Sequence, residues 1–146
     1  MNYSRLLIAA VVGLVVEVCY GFVVYGMLLS NEFAKYPTVY RSAETGPGYL
    51  PLMFAGVFVA IVVAALIYAK GYEGGRGAAE GIRFGLMLGV FVAFAFGGVN
   101  YGVLNIGRRL ALYAAAEGLV EWTLIGLAIG LVYKPAQTSA RRVAGV

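Results

Sequence analysis

Four stretches of this chain are too long and too apolar to be packed inside a water-soluble domain of its size. They run over about Leu6 to Leu29, Tyr49 to Ala69, Gly81 to Leu104 and Leu110 to Tyr133. An α-helix rises about 1.5 Å per residue and the hydrocarbon core of a bilayer is about 30 Å thick, so roughly 20 apolar residues cross it. Each stretch meets that length. Of the residues, 62% are hydrophobic and only 12% charged, with a mean hydropathy of +0.85, whereas a soluble domain carries about a quarter charged. The sequence therefore predicts an all-α fold. It is a four-transmembrane-helix bundle that forms a single integral membrane domain over residues 1–146 and has the lipid bilayer as its first partner.

The first stretch also has the start of a signal peptide, with Arg5 ahead of an apolar run. The run continues well past an h-region, and no A-x-A-like site ends it, so it is expected to stay as a membrane helix. Lys and Arg at the span ends set the orientation. One side carries Arg5, Lys70, Arg76, Arg83, Lys134, Arg141 and Arg142, against Lys35, Arg41, Arg108 and Arg109 on the other. Both termini are thus expected in the cytoplasm, with residues 134–146 as a flexible cytoplasmic tail. The 31–48 loop is expected outside, where its prolines and glycines rule out a continuous helix. The net charge of +4 is absorbed by this topology, and no nucleic-acid partner is read from it.

Absent residue types exclude several chemistries. The chain has no histidine and no aspartate, and its lone cysteine is Cys19. Histidine-ligated haem, zinc–histidine sites and cysteine–histidine nucleophiles are excluded, as is a Walker nucleotide loop. No cofactor and no metal is expected, a carboxylate-only divalent site being a minor alternative.

Small residues recur where membrane helices pack, because helices in lipid associate through close backbone approach. Gly81, Gly85, Gly89, Ala93 and Gly97 form a row at intervals of four. Gly126 and Gly130 are small positions on the fourth span, and Gly98 and Gly102 make a second row. The first row predicts tight packing, either within the chain or in a homo-oligomer or larger membrane complex. Moving the first span from Gly13 to Gly89, a shift of 76 positions, also aligns Gly21 with Gly97, Tyr25 with Tyr101 and Gly26 with Gly102. This raises the alternative of two repeated helical hairpins.

The chemistry-bearing candidates are the intramembrane carboxylates. Glu17 is about eleven residues into the first span, on one face with Gly13, Gly21 and Tyr25. Glu121 is expected at similar depth on the fourth, one turn beyond Glu117, with Asn100, Tyr101, Tyr20 and Trp122 as further interior candidates. Three carboxylates without a basic partner at that depth would repel if all were charged, so at least one should hold a proton. They point to a proton or cation site. The alternatives are carboxyls that only tie helices together, or Glu117 lying among outer headgroups near Arg109. Lys70, Arg76 and Arg83 around the glycine-rich 71–77 turn are candidates for a lipid phosphate, against a plain flexible turn.

The segment GYEGGRGAAEGIRFGLMLGVF and the ending GLAIGLVYKP resemble a family of small uncharacterised four-helix bacterial membrane proteins, carrying a domain of unknown function. The likeness covers roughly the second half and rests on Glu80, Gly81, Arg83, Phe84 and Gly85. It implies a multi-pass protein of a bacterial inner membrane and no catalytic residue. Three functions fit the residues: a small transport component, an accessory or scaffold subunit, or an enzyme acting on a lipid or quinone, the last being least supported.

Overall fold

The computed structural model describes residues 1–135, so the predicted tail, with Arg141 and Arg142, lies outside the described residues beyond Pro135. Every regular element among the described residues is helical. Helix α1 (Tyr3–Gly21) starts where the Asn2 side chain accepts the Arg5 N–H at 3.1 Å, satisfying one of the free amides of a helix start. It runs on as a π-helical stretch, Phe22–Leu28, and a short α2 (Ser30–Phe33) opens the long loop. A 3-10 turn, Gly46–Tyr49, leads into α3 (Leu50–Lys70). Helix α4 (Gly77–Val92), a second π stretch (Ala93–Gly98) and α5 (Val99–Val103) follow one another, and α6 (Arg108–Val132) ends the described fold.

These elements make four helices long and apolar enough to cross a membrane: Tyr3–Leu28, Gly46–Lys70, Gly77–Val103 and Arg108–Val132. All four start earlier than the hydropathy boundaries, because backbone hydrogen bonding does not stop where apolar side chains do. At the second span Pro47, expected to interrupt helix, instead sits in the first turn of the 3-10 segment, where its missing N–H costs nothing.

The spans pack in the order α3, α1, α6, α4, so α6 and α1 are the central pair. Contact between α4 and α6 is backbone to backbone. A Cβ on Gly81 would overlap the carbonyl oxygen of Gly126, one on Gly85 that of Trp122, and one on Gly77 that of Gly130. A Cβ on Gly89 would come within 2.9 Å of Leu119 Cα. The predicted row thus packs within the chain, with Gly77 as its unpredicted first member. Its last two members depart from the expectation. Ala93 and Gly97 lie in the π stretch, and a Cβ on Gly97 would meet only Ala115 Cβ, at an ordinary 3.9 Å. The π stretch still contacts α6, but at ordinary van der Waals distance and not backbone to backbone.

The core lies nearer the end that carries the N-terminus, where Leu6, Ala9 and Ala10 of α1 meet Ile61, Ala64 and Ala65 of α3 and Ile125 and Ile129 of α6. Tyr68 closes this terminal end. Its ring lies 5.4 Å from Phe84 and 6.1 Å from Tyr133, both centroid to centroid and edge to face. At the opposite, loop end, the Gly107 N–H donates to the Tyr36 hydroxyl at 3.0 Å. There the Glu32 carboxylate is paired with Lys35 at 2.7 Å and Arg109 at 3.5 Å. The long loop is thereby fastened to the turn between the last two spans. The hydrogen bond from Lys35, and then the Arg109 charge, hold the Glu32 carboxyl below its ordinary range, whereas burial, then the neighbouring Tyr36, push the Tyr40 phenol up.

Candidate functional site

Glu17 and Glu121 stand near the middle of their spans, Tyr3–Leu28 and Arg108–Val132, and close packing of α1 on α6 brings them together. Glu17 is 8% exposed. The Glu121 carboxyl lies within hydrogen-bonding reach of Glu17, with Glu117 as the next charged neighbour. Glu17 lies on the Gly13, Gly21, Tyr25 face, which turns to α6: a Cβ on Gly21 would fit 3.8 Å from Glu17 Oε1 and 3.7 Å from the Tyr25 ring.

Two tyrosines tie Glu117 into this group. The Tyr25 hydroxyl donates to Glu117 Oε1 at 2.5 Å, and the Tyr20 hydroxyl donates to the Glu117 backbone carbonyl at 3.2 Å. Glu117 therefore does not lie with Arg109, which instead donates to the Tyr113 hydroxyl at 3.0 Å and pairs with Glu32. Two carboxyl oxygens, Glu17 Oε2 and Glu117 Oε2, are buried without a hydrogen-bond partner among the described residues. A buried acceptor left unpaired costs about 1–3 kcal/mol, more when charged, a cost that a proton or a donor at either oxygen would remove.

The surroundings of the carboxyls are unequal. Towards the loop end a groove of about 250 Å³ between α1 and α6 is lined by Tyr20, Tyr113 and Glu117 among the apolar Val24, Leu28, Ala116 and Val120. Towards the terminal end the helices close. A Cβ on Gly13 would come within 2.9 Å of Ile61 Cγ2 and 3.5 Å of Ile125 Cγ2.

No family model, curated protein or solved structure matches this chain. The site is therefore read from its own chemistry.

Asn100 and Tyr101, expected to line the interior, do not join it: Asn100 is exposed and Tyr101 is 49% exposed. They lie on α5, past the π stretch. Trp122 is half-buried and packs on the hydrophobic core. Among the described residues, no set of three or more Cys, Asp or Glu side chains is arranged to hold a metal ion.

The lipid-phosphate candidates meet a different arrangement. Lys70 and Arg76 are exposed, and Arg83 is paired with Glu73 at 2.5 Å. The Gly75 N–H, in the glycine-rich turn expected to face a phosphate, donates instead to Glu80 Oε1 at 2.8 Å. The Tyr68 hydroxyl donates to Glu80 Oε2 at 3.3 Å. Glu80, 9% exposed, supplies the anion at this helix start, where the helix dipole favours one. The loop can fold back on it because Gly74 adopts φ +86°, a conformation that glycine enters without penalty.

The hydrogen-bonding roles of Tyr25 and Glu80 are the least visible in sequence. Tyr25 lies two helical turns beyond Glu17 on the same row, and that spacing was the available signal. For Glu80 the signal was an acidic residue in the first turn of a helix, but its local charge balance drew the attention to Arg83 instead.

Proposed function

We propose that this chain is a small membrane transport component whose interior carboxyls, the Glu17–Glu121 pair with Glu117 beside it, bind a proton or cation during the transport cycle. The observation that carries this reading is Glu17: a carboxyl near the middle of a membrane span, 8% exposed, beside a second carboxyl and with one oxygen unpartnered among the described residues. Intramembrane acidic groups are costly, and they commonly mark ion or proton pathways. Two like charges about 4 Å apart repel by about 4 kcal/mol at an effective dielectric constant of 20. A single proton shared by the pair removes that repulsion, so a proton is the favoured occupant.

The test is flux in proteoliposomes carrying an internal pH dye, with wild type, Glu17→Gln and Glu121→Gln compared under an imposed pH gradient and membrane potential. Wild type is expected to carry protons and both variants to lose most of that flux. Equal flux in all three, or none in any, would remove the transport reading.

A second reading is favoured by one observation. A Cβ placed on Gly56, Gly98 or Gly102 would meet nothing within 4 Å, so these small positions are free for a helix of another subunit, as an accessory or homo-oligomeric role requires. Cross-linking through cysteines at Gly98 and Gly102 would detect such a neighbour. For the orientation, the terminal end is proposed to face the cytoplasm, on the excess of Lys and Arg there.

A further inference from the structure

We propose that the Glu17–Glu121 pair is reached from the loop end alone, with Glu117 as the group that takes the proton in and Tyr25 as the residue that positions it. This inference rests on the proton reading for its chemistry, but its geometry stands separately.

The loop side holds a graded set of proton-competent groups. Tyr25 is 39% exposed and lies three residues from the end of its span, about 4.5 Å of helix rise. Its hydroxyl occupies Glu117 Oε1, which leaves Oε2 as the free oxygen of that carboxyl. Glu117 adjoins the groove that Tyr20 and Tyr113 also line. Glu17, the next carboxyl inward, again presents an unpartnered Oε2. Glu117 and Glu17 lie close enough to interact through their charges, as do Tyr20 and Tyr25 with all three carboxyls.

The other direction is dry. Between Glu17 and the terminal end the buried core holds Leu6, Ala9, Ala10, Ile61, Ile125 and Ile129, and the next buried titratable groups are Tyr68 and Glu80, which bond each other, and Tyr133. Packed apolar side chains offer no polar partner to hold a water, so a proton has no carrier there.

The transfer balances without a redox partner. The Glu117 carboxylate takes up a proton from a hydronium ion at the loop face, which leaves as water. It then passes that proton to a carboxylate oxygen of the Glu17–Glu121 pair: one O–H bond breaks as another forms, and Glu117 returns to its ionised state. Tyr25 keeps its own proton throughout and only aims Oε2 inward.

Sided thiol labelling tests the access. In a Cys19→Ala background reconstituted into liposomes, Gly21→Cys places a thiol between Glu17 and Tyr25 where a Cβ fits without strain, and Ala10→Cys places one in the dry core. A membrane-impermeant cationic methanethiosulfonate is added to one face at a time, and Ser42→Cys in the long loop identifies the loop face. Gly21→Cys is expected to react from the loop face only, and Ala10→Cys from neither until the protein is unfolded in detergent. Reaction of Gly21→Cys from the terminal face, or from neither face while unfolded protein reacts fully, overturns the proposal.

For the roles of the two residues, loop-side proton uptake should slow about tenfold in Tyr25→Phe, the scale of one lost hydrogen bond to a charged group. Glu117→Asp should retain far more uptake than Glu117→Gln. Equal uptake in wild type, Tyr25→Phe and Glu117→Gln removes the relay. Loop-only labelling with no proton flux in the wild type would leave the one-sided access standing and remove the proton reading.

Discussion

Adding a single methyl group at Gly126 tests the packing on which the site depends. The new Cβ would lie 2.5 Å from Gly85 Cα and 2.7 Å from Gly85 N, against the 3.5–4.0 Å at which carbon atoms pack. Both obstacles are backbone, so no rotamer change relieves the clash, and α4 must move off α6 by about 1 Å. A radial gap of 0.5–1 Å forfeits about a quarter to a half of each contact's dispersion energy. Overpacking of a filled interior costs about 1–3 kcal/mol, and with the obstruction all backbone the upper part of that range, about 2–3 kcal/mol, is expected for Gly126→Ala. The greater helix propensity of alanine returns at most about 1 kcal/mol. Gly102→Ala is the control, since a Cβ there meets nothing within 4 Å, and its stability should match wild type or exceed it by up to about 1 kcal/mol. Reversible unfolding by dodecyl sulfate in mixed micelles measures the difference. The fluorescence of Trp122, the one tryptophan, reports it directly, because the Trp122 carbonyl lies on the Gly85 contact. A Gly126→Ala protein within about 0.5 kcal/mol of wild type, or a Gly102→Ala protein equally destabilised, would refute the reasoning.

Glu80→Ala should lower stability in the same assay by about 1–3 kcal/mol, because it strips the acceptor from the Gly75 N–H and the Tyr68 hydroxyl; Tyr68→Phe, which leaves the Gly75 bond intact, should cost less than Glu80→Ala. At the loop end, Glu32 has a folded-state pKa below its unfolded one. Its contribution is therefore fully present above the unfolded value and is lost as pH falls through the folded one, below the ordinary glutamate range. Carboxyl-carbon NMR titration of Glu32 should move up towards the ordinary value in Lys35→Ala, and an unchanged titration would show that Lys35 is not the cause.

The residues differ in how plainly their roles could be read before the fold was known. The similar depth of Glu17 and Glu121 was legible, because depth in a membrane helix follows from residue count, and the Gly13, Glu17, Gly21 spacing marks the inward face. The close approach of Gly81, Gly85 and Gly89 to a neighbouring helix was legible for the same reason. Asn100 and Tyr101 were misplaced: both are exposed on α5, beyond the π stretch at Ala93–Gly98, and nothing in its residues (AFAFGG) announces that departure from the α-helical period. The glycine-rich turn suggested an anion site in the right place, but the anion turned out to be the chain's own Glu80 carboxylate.

Hydropathy by itself determined that this chain has four membrane-length helices, since a run of apolar side chains about 30 Å long is costly to solvate wherever its neighbours lie. It could not determine that α6 lies between α1 and α4, or that Tyr25 bonds Glu117. Those features follow from which small residues allow two backbones to touch and from where a hydroxyl meets a carboxyl across helices 92 residues apart in the chain. Such contacts have no period in the sequence, so only the packed tertiary structure decides them.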